Sequence, residues 1–229
     1  MGTLSVPHNP VSGRVFHLTF HGIGTPGPFI AQSELNYWLT VDAFERCLEV
    51  ASNWSDARIT FDDGNLSDLS IATPRLVKRR LKGCFFVLAA RLGMAGYLGL
   101  GELRELLAAG MEIGSHGMHH QSWKRLAAQT RKQEIDDAKA KLEDLLGIPI
   151  TQAACPFGTY DRNSLDALAH AGFHKVYTSD RGWAHSNAWL QPRNTITAGA
   201  NLVALEQVRA WPRTRQWVHQ LKMHLKRWR

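Results

Sequence analysis

Thr60-Phe61-Asp62-Asp63-Gly64 is the stretch of this 229-residue sequence from which its fold can be argued. An apolar and β-branched run, residues 58–62, ends here in two adjacent carboxylates and a glycine. In a βα barrel, residues at the carboxyl ends of the strands form the active site. Adjacent residues that leave a strand point in different directions, so one carboxylate can bind a cation while its neighbour handles protons. For this stretch alone, a plain turn rich in Asp and Gly is an equal alternative.

The rest of the sequence alternates short apolar runs with longer stretches of helical period, which is typical of βα units. The predicted strands are residues 14–21, 58–62, 84–88, 111–114, 152–155, 174–178 and 189–196. The predicted helices lie near residues 41–51, 68–81, 101–109, 122–146, 161–171 and 202–210. Such a series forms either a closed barrel or an open doubly wound sheet, and the periodicity leaves both open.

A histidine-rich segment, Ser115-His116-Gly117-Met118-His119-His120, directly follows the predicted strand 111–114. Two imidazoles four residues apart can reach one metal ion if the segment coils into a helical turn, which pairs His116 with His120 and leaves His119 outside the site. With one carboxylate, they would form a catalytic site for zinc, or for iron, cobalt or nickel. A solvated turn is the alternative reading of the histidines alone.

A third segment, Ala154-Cys155-Pro156-Phe157-Gly158-Thr159-Tyr160-Asp161, follows the histidines. In their order and spacing, the three segments resemble the motifs of the polysaccharide deacetylase family, which comprises the NodB-like deacetylases of carbohydrate esterase family 4. The resemblance extends over roughly residues 14–197. It implies an α/β fold, a distorted (β/α)7 barrel. It also implies a metal-dependent hydrolase that removes an N-acetyl group from an amino sugar in a polysaccharide, oligosaccharide or lipid-linked saccharide, with a role in exopolysaccharide biosynthesis.

The resemblance also implies a role for each motif residue. The catalytic base would be Asp62, the first aspartate of its motif. The ligands of a divalent metal, zinc before iron, cobalt or nickel, would be Asp63, His116 and His120. One wall of the substrate groove would be formed by Pro156 and Phe157, with a backbone amide near Phe157 stabilising the oxyanion. Tyr160, in the same segment, is expected either to contact the sugar or to belong to the core.

Two residues that many family members use are missing from their usual places. No arginine precedes Pro156 to tune the base, and no late Leu-x-His motif supplies a general acid. In some members, an arginine in a late Pro-Arg strand takes the first role, which implies that Arg193 pairs with Asp62 and keeps it ionised. In some bacterial members, a histidine ends the first strand, which implies that His21 protonates the leaving amine. A simple turn histidine is the alternative for His21.

Two other functions remain open at this point. Relatives that hydrolyse other C–N bonds share the metal triad, so an amino-sugar deformylase or a cyclic amidase is the first alternative. The second is an inactive barrel that binds glycan, which the missing arginine and late histidine leave open. The presence of both aspartates and both metal-ligand histidines argues against it.

Length and composition indicate one globular domain, with 44% hydrophobic and 21% charged residues. The net charge of +7 lies in the tail, because seven Arg or Lys residues and no Asp or Glu follow Gln207. We therefore expect a catalytic domain at residues 1–200 and a basic amphipathic helical extension at residues 201–229. Its apolar stripe consists of Trp217, Leu221, Leu225 and Trp228. This stripe would either pack on the barrel or dock on an anionic membrane, and the neutral body makes nucleic acid an unexpected partner.

The first residues have no leader pattern, and no run of about 18 apolar residues occurs. We therefore expect a cytoplasmic location, with membrane association through the tail as a further expectation. Three widely spaced cysteines, Cys47, Cys84 and Cys155, include no CxxC pair, so we expect buried thiols rather than a disulfide framework or a thiolate metal site.

Overall fold

The computed structural model describes residues 13–28, 30–199 and 202–226. Its strands are β1 (Arg14–Phe20), β2 (Ala57–Asp63), β3 (Gly83–Val87), β4 (Glu112–Ser115), β5 (Gln152–Ala154), β6 (Lys175–Thr178), β7 (Ala184–His185) and β8 (Leu190–Thr195). All of them except β7 are parallel and follow one another in the order β2-β3-β4-β5-β6-β8-β1. Because β1 also pairs with β2, the sheet closes into the seven-stranded barrel that the resemblance implies, and the open-sheet alternative is wrong.

The barrel closes at β1, which is bonded to a parallel neighbour on each side. Thr19 lies opposite Thr60 of β2 and opposite Thr195 of β8. The start of β1 pairs instead with the antiparallel strand β7, where Arg14 lies opposite His185. The first residues of β1 therefore pair with β7, and the pairing of β1 with β8 begins only at His17. This change of partner distorts that end of the barrel.

Helices surround the strands and lie in every region where the sequence predicts one. The α-helices are α1 (Val41–Ser52), α2 (Thr73–Lys78), α3 (Leu100–Ala108), α4 (Ala128–Lys132), α5 (Ala138–Leu146), α6 (Arg162–His170), α7 (Leu202–Arg209) and α8 (Arg213–Lys226). π-helical segments at Asp68–Ala72 and Gln133–Asp137 and 3-10 helices at Gln32–Tyr37 and Pro156–Gly158 complete the list.

The helix predicted at residues 122–146 begins later than expected, at Ala128. Residues 122–127 form a loop in which the Trp123 side chain is fully buried. Within this loop, Arg125 has a φ of +62° and its backbone N–H donates to Asp161 Oδ2 at 2.6 Å. These contacts hold the loop in a non-helical path, which the spacing of apolar residues did not indicate.

The core has two layers because successive side chains of a strand face opposite sides of the sheet. Inside the barrel, Phe86 and Tyr177 pack together with Cys84 and Ala154. Outside it, the rings of Phe61 and Phe85 stack at 4.4 Å under the helices. Cysteines Cys47, Cys84 and Cys155 are all buried and free, which confirms the prediction for them.

The C-terminal helices contact the barrel, but α8 does not do so through its predicted apolar stripe. The α7 helix packs through the buried Leu205, and α8 packs through the buried Met223. The stripe residues Trp217, Leu221 and Leu225 are 66%, 46% and 58% exposed, so the expectation that this stripe packs on the barrel is wrong. Trp228 lies outside the described residues. Within the described ranges, no helix is both long and apolar enough to cross a membrane.

Candidate active site

Six of the predicted site residues line one cleft of about 660 Å³ at the carboxyl ends of the strands. Asp62 and Asp63 end β2, while His116 and His120 lie in the turn after β4. The cleft is lined by both aspartates and both histidines, together with His21 and Phe157. Parallel strands bring their carboxyl ends to one face of a barrel, which is why residues far apart in sequence meet here.

Three of these residues are placed to hold a metal ion. Asp63 Oδ1 lies 3.6 Å from His116 Nε2 and 3.4 Å from His120 Nε2. The three ligand atoms lie within 4.8 Å of one another. Asp63 Oδ1 is also buried without a hydrogen-bond partner among the described residues, which is costly unless a cation or water is bound. Two imidazoles and a carboxylate with open positions fit a catalytic divalent metal.

His116 is oriented by its other ring nitrogen. Nδ1 lies 2.9 Å from the backbone oxygen of Ala154, and a proton on Nδ1 leaves Nε2 free to face Asp63. Burial lowers the pKa of His116 to about 3 and also lowers the pKa of His120. Both imidazoles are therefore held in the neutral form that binds a metal.

The turn that contains the two histidines is hydrogen-bonded to Glu134, a residue that the sequence motifs did not indicate. Glu134 is fully buried, and its carboxylate accepts hydrogen bonds from the backbone N–H groups of Met118 (3.2 Å) and His119 (2.9 Å). Gly117 has a φ of +91°, and a Cβ there would lie 2.7 Å from Glu134 Oε2. Glycine is therefore required at Gly117 both for backbone conformation and for the close approach of the carboxylate.

The second carboxylate, Asp62, is paired with Arg193 inside the barrel. Arg193 Nη1 donates to Asp62 Oδ1 at 2.6 Å and Nη2 donates to Oδ2 at 2.7 Å. Burial raises the pKa of Asp62, but the guanidinium more than offsets this and holds the pKa well below its usual range. The pairing predicted for Arg193 is thus present, and Asp62 stays ionised without being a member of the metal triad.

His21 lies on the same cleft at the end of β1. Its ring faces that of Tyr37 at 4.9 Å, and its Nδ1 is buried without a hydrogen-bond partner in the described part of the chain. Burial raises the pKa of Asp63 to about 6, and the charge of His21 is the largest influence that lowers it again. His21 therefore lines the same cleft as both carboxylates.

Phe157 forms one wall of the cleft. Its ring stacks on His120 at 4.4 Å and is 64% exposed, while Pro156 is buried behind it. Phe157 has a φ of +56°, and a Cβ on the following Gly158 would lie 2.5 Å from the Ser179 side chain. At this strained turn the Phe157 ring lies against His120, one of the three candidate metal ligands.

Tyr160 lies in the core and not on the wall of the cleft. Its side chain is only 2% exposed, and its hydroxyl donates to Asp180 Oδ2 at 2.8 Å. It is absent from the residues that line the cleft. The alternative, that Tyr160 belongs to the core, is the correct one.

The cleft also contains residues that no motif indicated. The 3-10 helix Gln32–Tyr37 and the adjoining Trp38 contribute an acidic and two aromatic side chains, those of Glu34, Tyr37 and Trp38. Arg181, in the loop after β6, also lines the cleft. These residues lie in loops without periodicity, so only the structure could place them.

Asp68 is a further buried carboxylate close to the site. It is fully buried. Burial, followed by the negative charges of Asp63 and Asp62, raises its pKa well above the usual value. The protonated form of Asp68 is thereby favoured.

Comparison with known proteins gives a family and several similar structures. The family profile described as Polysaccharide deacetylase matches residues 53–176. YxkH of Bacillus subtilis (strain 168), which is named after the same family, is 28% identical over 126 residues. That alignment covers 55% of this chain and 45% of YxkH, so the chain spans less than half of this relative's length.

Three solved structures have similar folds at low sequence identity. The deacetylase PplD of Streptococcus pyogenes, solved with acetate, gives a TM-score of 0.73 at 22% identity, covering 85% of this chain and 97% of PplD. IcaB of Ammonifex degensii gives 0.69 at 21% identity, covering 86% of this chain and 96% of IcaB. A de-N-acetylase of Aggregatibacter actinomycetemcomitans gives 0.72 at 12% identity, covering 85% of this chain and 99% of that protein. These similarities show a shared fold.

Proposed function

The chain belongs to the polysaccharide deacetylase family, and from this premise we propose that it is a metal-dependent hydrolase that removes the acetyl group from an N-acetylated amino sugar. The observation that carries the proposal is the ionised Asp62, clamped by Arg193, beside a triad of metal-ligand geometry. Asp62 Oδ2 lies 3.9 Å from His116 Nε2, so a base and a metal site share one small region of the cleft. A pure glycan-binding barrel has no need for both.

Each residue of the cleft has a role in this reaction. A divalent ion at the triad would lower the pKa of a water molecule and polarise the acetyl carbonyl. Asp62 accepts a proton from the water as it attacks the carbonyl carbon, because Arg193 keeps the carboxylate ionised and fixed. A backbone amide near Phe157 donates a hydrogen bond to the carbonyl oxygen as negative charge develops on it. His21 then gives a proton to the amine nitrogen as the C–N bond breaks, which releases acetate and a free amino sugar.

The donor set makes zinc the first choice of metal. Zinc commonly binds imidazole nitrogen and carboxylate oxygen in catalytic sites with three protein ligands and an open position. Iron, cobalt and nickel accept the same two-histidine, one-carboxylate arrangement and are the alternatives. Metal analysis of the purified protein, followed by activity after reconstitution with each ion, decides among them.

The substrate we propose is an N-acetylated saccharide within a polysaccharide, an oligosaccharide or a lipid-linked intermediate of exopolysaccharide biosynthesis. The cleft is open and has aromatic side chains on its walls, those of Tyr37, Trp38 and Phe157. Aromatic faces are suited to packing against the apolar faces of sugar rings.

The test is acetate release from free, polymeric and lipid-linked N-acetylated saccharides by the metal-reconstituted protein. Wild type is compared with Asp62→Asn and with Asp166→Asn, a control at an aspartate of α6 whose side chain is 61% exposed. We expect release by wild type and Asp166→Asn, and none by Asp62→Asn at equal metal content. Formate release or cyclic-amide hydrolysis without acetate release would instead identify one of the related C–N hydrolases. A protein without stoichiometric metal and without activity would be the inactive barrel.

We also propose that the protein acts in the cytoplasm in peripheral contact with a membrane, through its C-terminal helix. The support is the excess of seven basic over no acidic residues after Gln207, which favours an anionic surface. Three buried free cysteines are compatible with a reducing compartment. Fractionation of cells that express the tagged chain, with and without a high-salt wash, tests both statements.

A further inference from the structure

The described side chains of α8 that contact the barrel include Gln216, Met223 and Lys226. Met223 is buried and, with Gln220, borders an apolar depression beside β7 and β8. Near the start of the helix, Gln216 accepts a hydrogen bond from the Arg14 side chain of β1. At its end, Lys226 forms an ion pair with Asp180 at 2.6 Å. The helix therefore lies along the outside of the barrel, fixed at both ends.

The other side of α8 is apolar and exposed. Trp217, Val218, Leu221 and Leu225 are 66%, 46%, 46% and 58% exposed. They occupy neighbouring positions on a helix, since residues three and four apart share a face. We call these four residues the α8 outer face. Scattered exposed apolar residues are ordinary, but a contiguous group of this size on one helix marks an interaction surface.

The charge around the α8 outer face indicates which surface it meets. The chain has seven Arg or Lys residues and no Asp or Glu after Gln207, whereas the preceding part is neutral. Arg215 is exposed on α8 itself, and its guanidinium lies over the Trp211 ring. An exposed apolar helix face that contains tryptophan, in a segment whose charged residues are all basic, complements the headgroups and upper acyl chains of an anionic bilayer. A protein partner with an apolar groove would not require this one-sided charge.

The end of α8 is also connected to the cleft. Lys226 lies over the Tyr160 ring at 5.0 Å and bonds to Asp180, which in turn accepts the Tyr160 hydroxyl hydrogen bond. The residues on either side of Asp180, Ser179 and Arg181, line the cleft. The helix thus runs from the start of β1 to the rim of the active site. A membrane that contacts α8 would lie close to one edge of the cleft.

We propose that the α8 outer face docks this enzyme on an anionic lipid bilayer and thereby presents the rim of the cleft to saccharides attached to that bilayer. The proposal rests on the deacetylase function proposed above and names its preferred substrate as a membrane-attached N-acetylated saccharide. The docking itself does not depend on that function. The two statements can therefore fail separately.

Vesicle sedimentation tests the docking. The probes are vesicles of phosphatidylcholine alone and of phosphatidylcholine with phosphatidylglycerol, mixed with wild type or with the triple variant Trp217→Ser/Leu221→Ser/Leu225→Ser. The matched control is Val77→Ser/Met94→Ser, which replaces two apolar residues that are 51% and 55% exposed elsewhere on the barrel. We expect wild type and the control to bind the anionic vesicles, and the triple variant to bind at least tenfold more weakly. Raising the salt concentration should weaken wild-type binding.

Equal sedimentation of wild type and the triple variant would overturn the proposal, as would equal binding to neutral and anionic vesicles. Sedimentation velocity without vesicles excludes the other occupant, a second copy of the chain. A wild-type dimer that the triple variant loses, together with no vesicle binding, would assign the α8 outer face to self-association. Circular dichroism shows whether each variant is folded, and the exposed positions make unfolding unexpected.

Acetate release in the same samples separates this proposal from the proposed function. On a soluble N-acetylglucosamine oligomer, we expect wild type and the triple variant to have equal rates. On an N-acetylglucosamine lipid held in anionic vesicles, we expect the triple variant to be at least tenfold slower. Equal rates on the lipid would overturn the docking proposal, whereas no acetate from either substrate, with vesicle binding intact, would overturn only the deacetylase function.

Discussion

The guanidinium of Arg193 donates two parallel hydrogen bonds to the Asp62 carboxylate across the barrel interior, at 2.6 and 2.7 Å. Arg193 is fully buried, and the rings of Phe86 and Tyr177 lie 5.3 and 5.8 Å from its guanidinium carbon. The planar fork fixes both the ionisation and the direction of the carboxylate, which a single point charge does not. In the proposed reaction, Arg193 therefore has the role of the arginine that is missing before Pro156.

We predict that Arg193→Lys keeps the fold but slows acetate release. A lysine lacks the planar fork that donates one straight hydrogen bond to each oxygen, and a lost bond to a charged group costs about 1.5–3 kcal/mol, or about 10- to 150-fold in rate. Arg193→Met should instead lower the free energy of unfolding by about 3–5 kcal/mol, because it leaves a buried carboxylate unpaired. Steady-state kinetics and urea unfolding measure the two effects. Wild-type activity in Arg193→Lys would contradict this account of the pair.

We predict that His120→Ala reduces the affinity for zinc by more than about 100-fold, since even residues behind the ligands change affinity about 10- to 100-fold. The neighbouring His119→Ala should retain wild-type affinity, because His119 is exposed and lies outside the triad. Competition with a chromogenic chelator measures both variants. A similar loss in the two would show that the turn, rather than the His120 ligand, is what the substitution disturbs.

We predict that Glu134→Gln also weakens zinc binding, by about 10- to 100-fold, although Glu134 is no ligand. In the wild type, the two carboxylate oxygens accept hydrogen bonds from the N–H groups of Met118 and His119. The glutamine keeps one acceptor oxygen, but it places an amide NH2 group, which is a donor, against the other backbone N–H group. Asp136→Asn, at a partly exposed acid two residues further on, is the matched control. Saturating zinc should restore the rate of Glu134→Gln. A slow rate at full metal occupancy would contradict a purely positioning role.

The motif residues could be found from the sequence because their chemistry constrains both residue type and spacing. Two carboxylates at a strand end and two histidines four residues apart have few other uses, and the structure brings Asp63, His116 and His120 together. Glu134 could not be found in this way. It stands among other acids on a helix, and its role comes from a buried turn 15 residues away in sequence.

The errors have a similar physical origin. Tyr160 lies in a motif segment, but the left-handed turn at Phe157 breaks any simple alternation, so Phe157 faces the cleft and Tyr160 faces inward. In α8, the apolar stripe Trp217, Leu221 and Leu225 looks like a packing face, yet the barrel is contacted by Met223. Apolar spacing shows that a helix is amphipathic and does not show which face meets the protein.

The stability contributed by Asp161 should depend on pH. Asp161 begins α6 by accepting hydrogen bonds from the backbone N–H groups of Ser164 (2.9 Å) and Arg125 (2.6 Å). Burial raises the pKa of Asp161, but these hydrogen bonds offset that and lower it overall. Because the folded-state pKa lies below the unfolded one, the stabilisation is complete above the unfolded value of about 4 and is lost as pH falls through the folded pKa.

Asp161→Ala should therefore lower the free energy of unfolding by about 1–2 kcal/mol at pH 7, and its difference from wild type should shrink below about pH 4. Asp161→Asn is the control, because an amide oxygen still caps the helix but does not titrate. Urea unfolding at pH 7, 5 and 3.5 measures all three proteins. A difference between Asp161→Ala and wild type that stays constant over this range would show that the charge of Asp161 is not involved.

The role of His21 can be isolated through the leaving group of the substrate. If His21 protonates the departing amine, His21→Gln should slow acetate release from an N-acetylated sugar by about 10²- to 10⁴-fold. The same variant should hydrolyse 4-nitrophenyl acetate at nearly the wild-type rate, because nitrophenolate leaves without a proton. His185→Gln, at an exposed histidine of β7, controls for loss of an imidazole elsewhere. Equal losses on both substrates would instead place His21 in the attack step or in binding, since only leaving-group protonation distinguishes an amine from a nitrophenolate.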